Sequence, residues 1–303
     1  MSKLNHFLKI FEKDVAPYYQ NHEATFDLES FHGRFHILRC LLLVDLLDKF
    51  YSSKNIKMTK YWIIGSSSGI GKELAIKLDT LGCSLILSSR NTDKLNELNN
   101  SLNNQHDVIP IDLSDKNQCL KVSKKIINKN PESLIIIFMS AAYSPDDYSD
   151  YENIVNVNVL GLLHILSVTK DFLKNSSTMS KLIICSSLVA YKGLPFSQPY
   201  SMTKAALYNL ASSLHIELKN IVDVKVITPG FVKTSLTDKN NFSMPFIIDA
   251  KKAANIIVKG INSKKFEITF PLPMYLVMKV LQTLPNFISN YICSLIKKKV
   301  SSI

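Results

Sequence analysis

Residues 58–75 read MTKYWIIGSSSGIGKELA. YWIIG (61–65) is a short apolar strand, and GKELAIKLDTLG (71–82) has the spacing of an amphipathic helix closed by Gly82. Between them Gly65, Gly69 and Gly71 fall at G-x-x-x-G-x-G. Glycines let a strand turn tightly into a helix, whose N-terminus offers unpaired N–H groups and the positive end of its dipole to an anion. Ser66, Ser67 and Ser68 add hydroxyl donors. A plain strand-to-helix turn needs one or two glycines; three at this spacing read as a cradle for a pyrophosphate.

The same alternation continues down the chain. Strands are predicted at 84–90, 107–115, 133–142, 180–187 and 222–230, and helices at 91–102, 116–128, 151–173 and 200–219. Alternating strands and helices imply right-handed crossovers and an α/β fold. That fold is a doubly wound, Rossmann-type parallel sheet with helices on both faces. In such a sheet the end of the second strand lies beside the adenosine ribose. An acid there binds the ribose hydroxyls and disfavours a 2′-phosphate, but this chain has Ser89 and Arg90. A guanidinium suits phosphate, which favours NADP(H) over NAD(H).

CSSLVAYKGLPFSQPYSMTK (185–204) holds Ser187, then Tyr200, then Lys204. Tyr200 and Lys204 are four apart and share one helix face. A cation beside a phenol favours the phenolate and makes tyrosine a usable general acid or base. Ser187, at the end of the preceding strand, can hydrogen-bond a carbonyl oxygen beside the phenol. Asn158 lies upstream in NVNVLG, on the helix after the fourth strand.

With these motifs in order, residues 58–270 resemble the short-chain dehydrogenase/reductase family. The set comprises GSSSGIG (65–71), Asp112 after the third strand, SAA (140–142), Asn158, Ser187, Tyr200-Ser-Met-Thr-Lys204, and Pro229-Gly230 with Thr234 in PGFVKTS. The resemblance implies that Gly65, Gly69, Ile70 and Gly71 pack on the pyrophosphate. Asp112 and Leu113 then border the adenine, Ser140 and Ala141 line the cofactor site, and Pro229, Gly230 and Thr234 lie near the nicotinamide. Tyr200 moves the proton, Lys204 binds the ribose and lowers the tyrosine pKa, Ser187 polarises the carbonyl, and Asn158 holds a water of the proton relay. Two positions depart from the family pattern: Ile64 replaces a usual threonine, and Ser140-Ala141-Ala142 replaces Asn-Ala-Gly. The resemblance also implies homo-oligomers through the helices at 151–173 and 200–219.

The implied activity is carbonyl–alcohol interconversion by an NADP(H)-dependent enzyme. Candidate substrate walls are Leu188, Leu194, Phe196, Phe231 and Phe246, which suit an apolar substrate: a lipid, a steroid-like molecule or an acyl compound. A second class, a non-catalytic NADP(H)-binding regulator or scaffold, shares the fold; it need not keep Asn158, Ser187, Tyr200 and Lys204 together.

The two ends lie outside this pattern. Every motif follows Met58, so residues 1–57, with a helical pattern at 36–51 and a linker at 51–58, are dispensable to the chemistry on this reading. His32 and His36 could form a metal pair, but no third ligand follows at suitable spacing, so no metal is expected. The five cysteines are scattered and form no C-x-x-C pair, which suits a reducing, cytoplasmic setting. No signal peptide or membrane-spanning run is read. Net charge is +11, yet residues 251–303 carry nine lysines against one acid, Glu267, while the body is near neutral. That distribution argues against a nucleic-acid binder. The tail, 271–303, is split by Pro285. Its second helix sets Phe287, Ile288, Tyr291, Ile292, Leu295 and Ile296 opposite Ser289, Asn290, Cys293 and Ser294 before Lys297–Lys299. This pattern suits peripheral contact with an anionic membrane, and equally a helix packed on the domain or on a partner subunit.

Overall fold

A computed structural model describes residues 59–144, 150–240 and 243–301. The helix and linker read within 36–58 and the His32/His36 pair lie outside the described residues. Seven strands form one parallel sheet: β1 (Lys60–Ile64), β2 (Ser84–Ser88), β3 (Asp107–Val108), β4 (Leu134–Phe138), β5 (Lys181–Cys185), β6 (Asp223–Pro229) and, last in chain order, β9 (Glu267–Phe270). Two short strands, β7 (Val232–Lys233) and β8 (Ile248–Asp249), pair separately. The sheet order is β3-β2-β1-β4-β5-β6-β9, all neighbours parallel. The winding direction reverses between β1 and β4, which opens a crevice beyond their C-terminal ends.

The helices are α1 (Gly69–Asp79), α2 (Thr92–Ser101), α3 (Lys116–Asn128), α4 (Tyr151–Asn175), α5 (Gln198–Glu217), α6 (Ala250–Ile261), α7 (Leu272–Thr283) and α8 (Asn286–Ser301). Side chains alternate across the sheet. In β4, Leu134, Ile136 and Phe138 join the core with α3, α4 and α5, while Ile135 and Ile137 join the core with α1, α2 and α6. Both faces are covered, so the strands read as continuous apolar runs. By length and composition α4 could cross a membrane, but Leu162, Ile165 and Leu173 are buried in the first core.

Three elements differ from expectation. The strand read at 107–115 pairs only over Asp107–Val108, because Pro110 has no N–H for the ladder. Ile109 and Ile111 still donate to Leu87 and Ser89 along the β2 edge. Within α4, residues Asn156–Leu160 form a π-helical turn that no sequence period announces. In α8 the expected amphipathic faces are rotated: Ser289 and Cys293 are buried, whereas Phe287, Tyr291 and Leu295 are exposed.

Buried Asp79 ends α1 and accepts hydrogen bonds from the backbone and side-chain amides of Asn103 and Asn104, with His106 Nε2 at 3.0 Å. Burial pulls its pKa up, but these bonds outweigh burial and hold the carboxyl at about 2. A depressed folded pKa gives stability that is present above the unfolded value and lost as pH falls through about 2. Asp79→Asn is expected to cost about 2 kcal/mol at neutral pH. In denaturant melts the gap between the two proteins closes on acidification through that window; equal stability at neutral pH contradicts the assignment.

Candidate active site

The glycine turn sits at the reversal point. Gly65 has φ +95°, and a Cβ on it would stand 2.7 Å from the Ser140 nitrogen at the end of β4. Gly71 is tighter still: its Cβ would lie 2.1 Å from the Gly65 carbonyl oxygen. The first turn of α1 thus folds directly onto the turn that precedes it. Ser68, the N-cap, makes no side-chain capping bond, and the first helical turn carries no acid. The N–H groups at this helix end therefore offer an anion an uncontested seat. Ser88 anchors the turn from the side, its carbonyl accepting the Gly65 and Ser66 N–H groups at 2.7 and 3.2 Å. Trp62 Nε1 donates to the Ser88 hydroxyl at 2.9 Å.

From this turn a cavity of about 750 Å³ runs beyond the ends of β4, β5 and β6. Its walls include Gly65, Ser67, Ser68, Gly69, Ile70 and Gly71 at one end, then Ser89, Arg90 and Leu113. Ser140, Ala141, Ser187, Tyr200, Lys204, Pro229, Gly230 and Thr234 complete the predicted set on the wall. Arg90 is exposed there, the second residue after β2, with Ser89 and Asn91 beside it.

Two predicted residues stand elsewhere. Asp112 is not on the cavity wall; its carboxylate caps the following turn, accepting the Ser114 N–H at 2.9 Å and hydroxyl at 2.7 Å. Asn158 is fully buried in the π turn and behind the wall. Its Oδ1 accepts the Ala142 N–H at 2.6 Å, and its Nδ2 donates to the Ala142 carbonyl and to Thr203 Oγ1, both at 3.0 Å. The side chain is a brace tying the β4 turn to α5, one turn from Tyr200. This brace secures the segment that has alanine where the family has glycine.

The reacting groups converge at the ends of β5 and α5. Ser187 and Tyr200 share the cavity wall, and Ser187 acts to lower the tyrosine pKa against the effect of burial. Ser187 Oγ also accepts the Val189 N–H at 3.3 Å. Lys204, 1% exposed, donates to the Cys185 carbonyl at 2.8 Å, and its Nζ lies 5.4 Å from the Tyr200 ring centroid. Burial pushes the Tyr200 pKa up and the Lys204 pKa down. In the protein alone burial is the largest influence on the phenol, and it acts against ionisation.

Tyr143, which the motif reading passed over, packs edge-on against Tyr200 with ring centroids 5.1 Å apart. Its hydroxyl donates to Asn240 Oδ1 at 2.7 Å, linking the end of β4 to the loop after β7. Its place directly after SAA was the available sequence signal. Asn240 and Met274 also line the cavity and lie in segments without a motif. Among the expected apolar walls, Leu194, Phe196 and Phe231 line the cavity. Leu188 is instead buried in a small cluster with Met278 and Leu281, and Phe246, at φ +58°, is 53% exposed.

Together these features define a class: a doubly wound nucleotide-binding domain with a tyrosine–lysine pair beside the switch point. Residues 60–244 match the short chain dehydrogenase family. An uncharacterized oxidoreductase of Staphylococcus epidermidis is 29% identical over 206 residues, 66% of this chain and 89% of that protein. A 3-oxoacyl-[acyl-carrier-protein] reductase of Rickettsia prowazekii is 29% identical over 188 residues, 59% of this chain and 75% of its own length. A short-chain dehydrogenase from Sphingobium yanoikuyae in complex with NADPH superposes with a TM-score of 0.63 at 18% identity, covering 71% of this chain and 89% of that one. One from Burkholderia phymatum in complex with NAD reaches 0.64 at 17%, covering 74% and 93%. The chain belongs to the short chain dehydrogenase family and is an oxidoreductase of that fold.

Proposed function

We propose that the protein is an NADP(H)-dependent oxidoreductase that interconverts an apolar ketone or aldehyde and its alcohol. The observation that carries this reading is the convergence of Ser187, Tyr200 and Lys204 on one wall of a cavity that begins at the glycine turn. Gly65, Gly69, Ile70 and Gly71, with the α1 N-terminus, would hold a pyrophosphate; a side chain at Gly71 has no room there. Ser89 and Arg90 would take the 2′-phosphate. When bound, the nicotinamide supplies or accepts the hydride.

The protein's own part is positioning and proton transfer. Ser187 orients the substrate oxygen by hydrogen bonding. Tyr200, kept protonated by its enclosure, donates its proton to that oxygen in reduction and takes it back in oxidation. Lys204 sits behind the ring, its Nζ hydrogen-bonded to the Cys185 carbonyl. Leu194, Phe196 and Phe231 give the substrate apolar walls, and the relative named as a 3-oxoacyl reductase adds weight to an acyl class. The reading is cytoplasmic, which the scattered cysteines support, with a second copy expected against α4 and α5 by family resemblance.

Two tests follow directly. Arg90→Ala is expected to weaken NADPH binding about 10- to 100-fold and leave NADH within about twofold, since a charge-assisted bond to phosphate is worth about 1.5–3 kcal/mol. A wild-type preference for NADH overturns the cofactor assignment. Ultraviolet difference titration of the cofactor-free protein against Tyr200→Phe is expected to show no phenolate from Tyr200 below about pH 10, the ordinary tyrosine value. An ionisation below about pH 9 means that Lys204 governs the phenol even without cofactor.

A further inference from the structure

We propose that the outward faces of α7 and α8 form a docking surface for an anionic lipid membrane. The inner faces of both helices lie on one small cluster: Met278 and Leu281 from α7 and Ile292 from α8 meet around Leu188 and Tyr191. On α7 the outer face carries Leu272, Leu276, Val277 and Val280. On α8 it carries Phe287, Tyr291 and Leu295, one per turn. All seven side chains are between 45% and 75% exposed. Scattered surface leucines are ordinary, but two consecutive helices each presenting an apolar row are an interaction surface.

Charge selects the occupant. Lys297, Lys298 and Lys299 follow Ile296 in the sequence, two positions past Leu295, and Lys192 stands beside α8, its Nζ donating to Asn290 at 2.8 Å. The only acid from residue 251 onward is Glu267. It is turned inward, accepting the Thr228 hydroxyl at 2.6 Å and hydrogen bonds from Tyr191 and Tyr208. The segment therefore combines exposed apolar side chains with a lysine-rich sequence, and its one acidic side chain is turned inward. This pairing suits acyl chains beneath anionic headgroups. The same face of a second copy would bring the same lysines and no complementary charge. Met274, in the first turn of α7, also lines the cavity, so the surface adjoins the site that takes an apolar substrate. Docking stands on α7 and α8 alone; delivery of a lipid-dissolved substrate rests on the proposed function as well.

The test is co-sedimentation of the full chain with phosphatidylcholine vesicles, with and without phosphatidylglycerol. Wild type is expected to bind the anionic vesicles at least about tenfold better than the neutral ones, less so as salt rises. Val277→Ser/Val280→Ser and Phe287→Ser/Tyr291→Ser are exposed changes, and thermal melts verify that they fold. Each is expected to lower vesicle binding about tenfold or more. Lys297→Gln/Lys298→Gln/Lys299→Gln is expected to lower it about fivefold per lysine, on anionic vesicles only. Binding that is absent, indifferent to phosphatidylglycerol, or unchanged in the folded variants overturns the proposal. If the apolar variants instead convert a dimer to a monomer and leave vesicle binding untouched, the face is an interface between copies and the proposal is wrong. Vesicle binding is read without turnover, so its failure leaves the oxidoreductase reading intact.

Discussion

Gly71→Ala is expected to lower NADPH affinity about 10²-fold or more. The added methyl would stand 2.1 Å from the Gly65 carbonyl oxygen, which is backbone and cannot swing aside. Either α1 retreats or the turn opens, and both displace the N–H groups that face the cavity. Overpacking of this kind costs about 1–3 kcal/mol, and more where backbone must move. Trp62 provides the readout: it is the single tryptophan of the chain, fully buried in β1 close to the turn. Its emission, titrated with NADPH, is expected to quench saturably in wild type and hardly at all in Gly71→Ala. Gly82→Ala is the control, since a Cβ there meets nothing within 4 Å and its φ of +73° strains only the end of α1. Equal binding by Gly71→Ala and wild type would remove the cradle from the account.

Tyr200→Phe is expected to lower turnover about 10²- to 10⁴-fold, the usual worth of a positioned general acid or base. Cofactor affinity is expected within about threefold of wild type, because the change removes one hydroxyl and keeps the ring that packs on Tyr143. Ser187 still orients the substrate oxygen, so KM moves less than kcat. Retention of wild-type turnover by Tyr200→Phe would sink the proton-transfer assignment.

Most of the sheet was legible because buried parallel strands are apolar runs and their helices are amphipathic. The Asn91 cap of α2, accepting the Lys94 N–H at 2.9 Å, was readable for the same local reason. What escaped was set by contacts distant in sequence. The π turn at Asn158 depends on Ala142 and Thr203, and no local period encodes it. Tyr143 matters through Asn240, 97 positions away. In α8 the apolar stripe predicted an inward or membrane face as one unit, but packing on Met278 and Leu281 took Ile292 and left Phe287, Tyr291 and Leu295 outside. Asp112 fits the family motif by position, yet its side chain serves the turn at Ser114. The half-buried setting of Tyr200 is likewise a property of the assembled site.

The alternative, a protein that binds nucleotide and does no chemistry, shares every feature of the glycine turn. Isotope transfer separates the two. NADPH deuterated at the reducing position, incubated with the full chain and a panel of apolar ketones and aldehydes, is expected to place deuterium on the carbinol carbon of at least one alcohol product. Tyr200→Phe is expected to leave that alcohol unlabelled. Saturable quenching of Trp62 by NADPH with no label in any alcohol across the panel would contradict the claim that this chain is a working oxidoreductase.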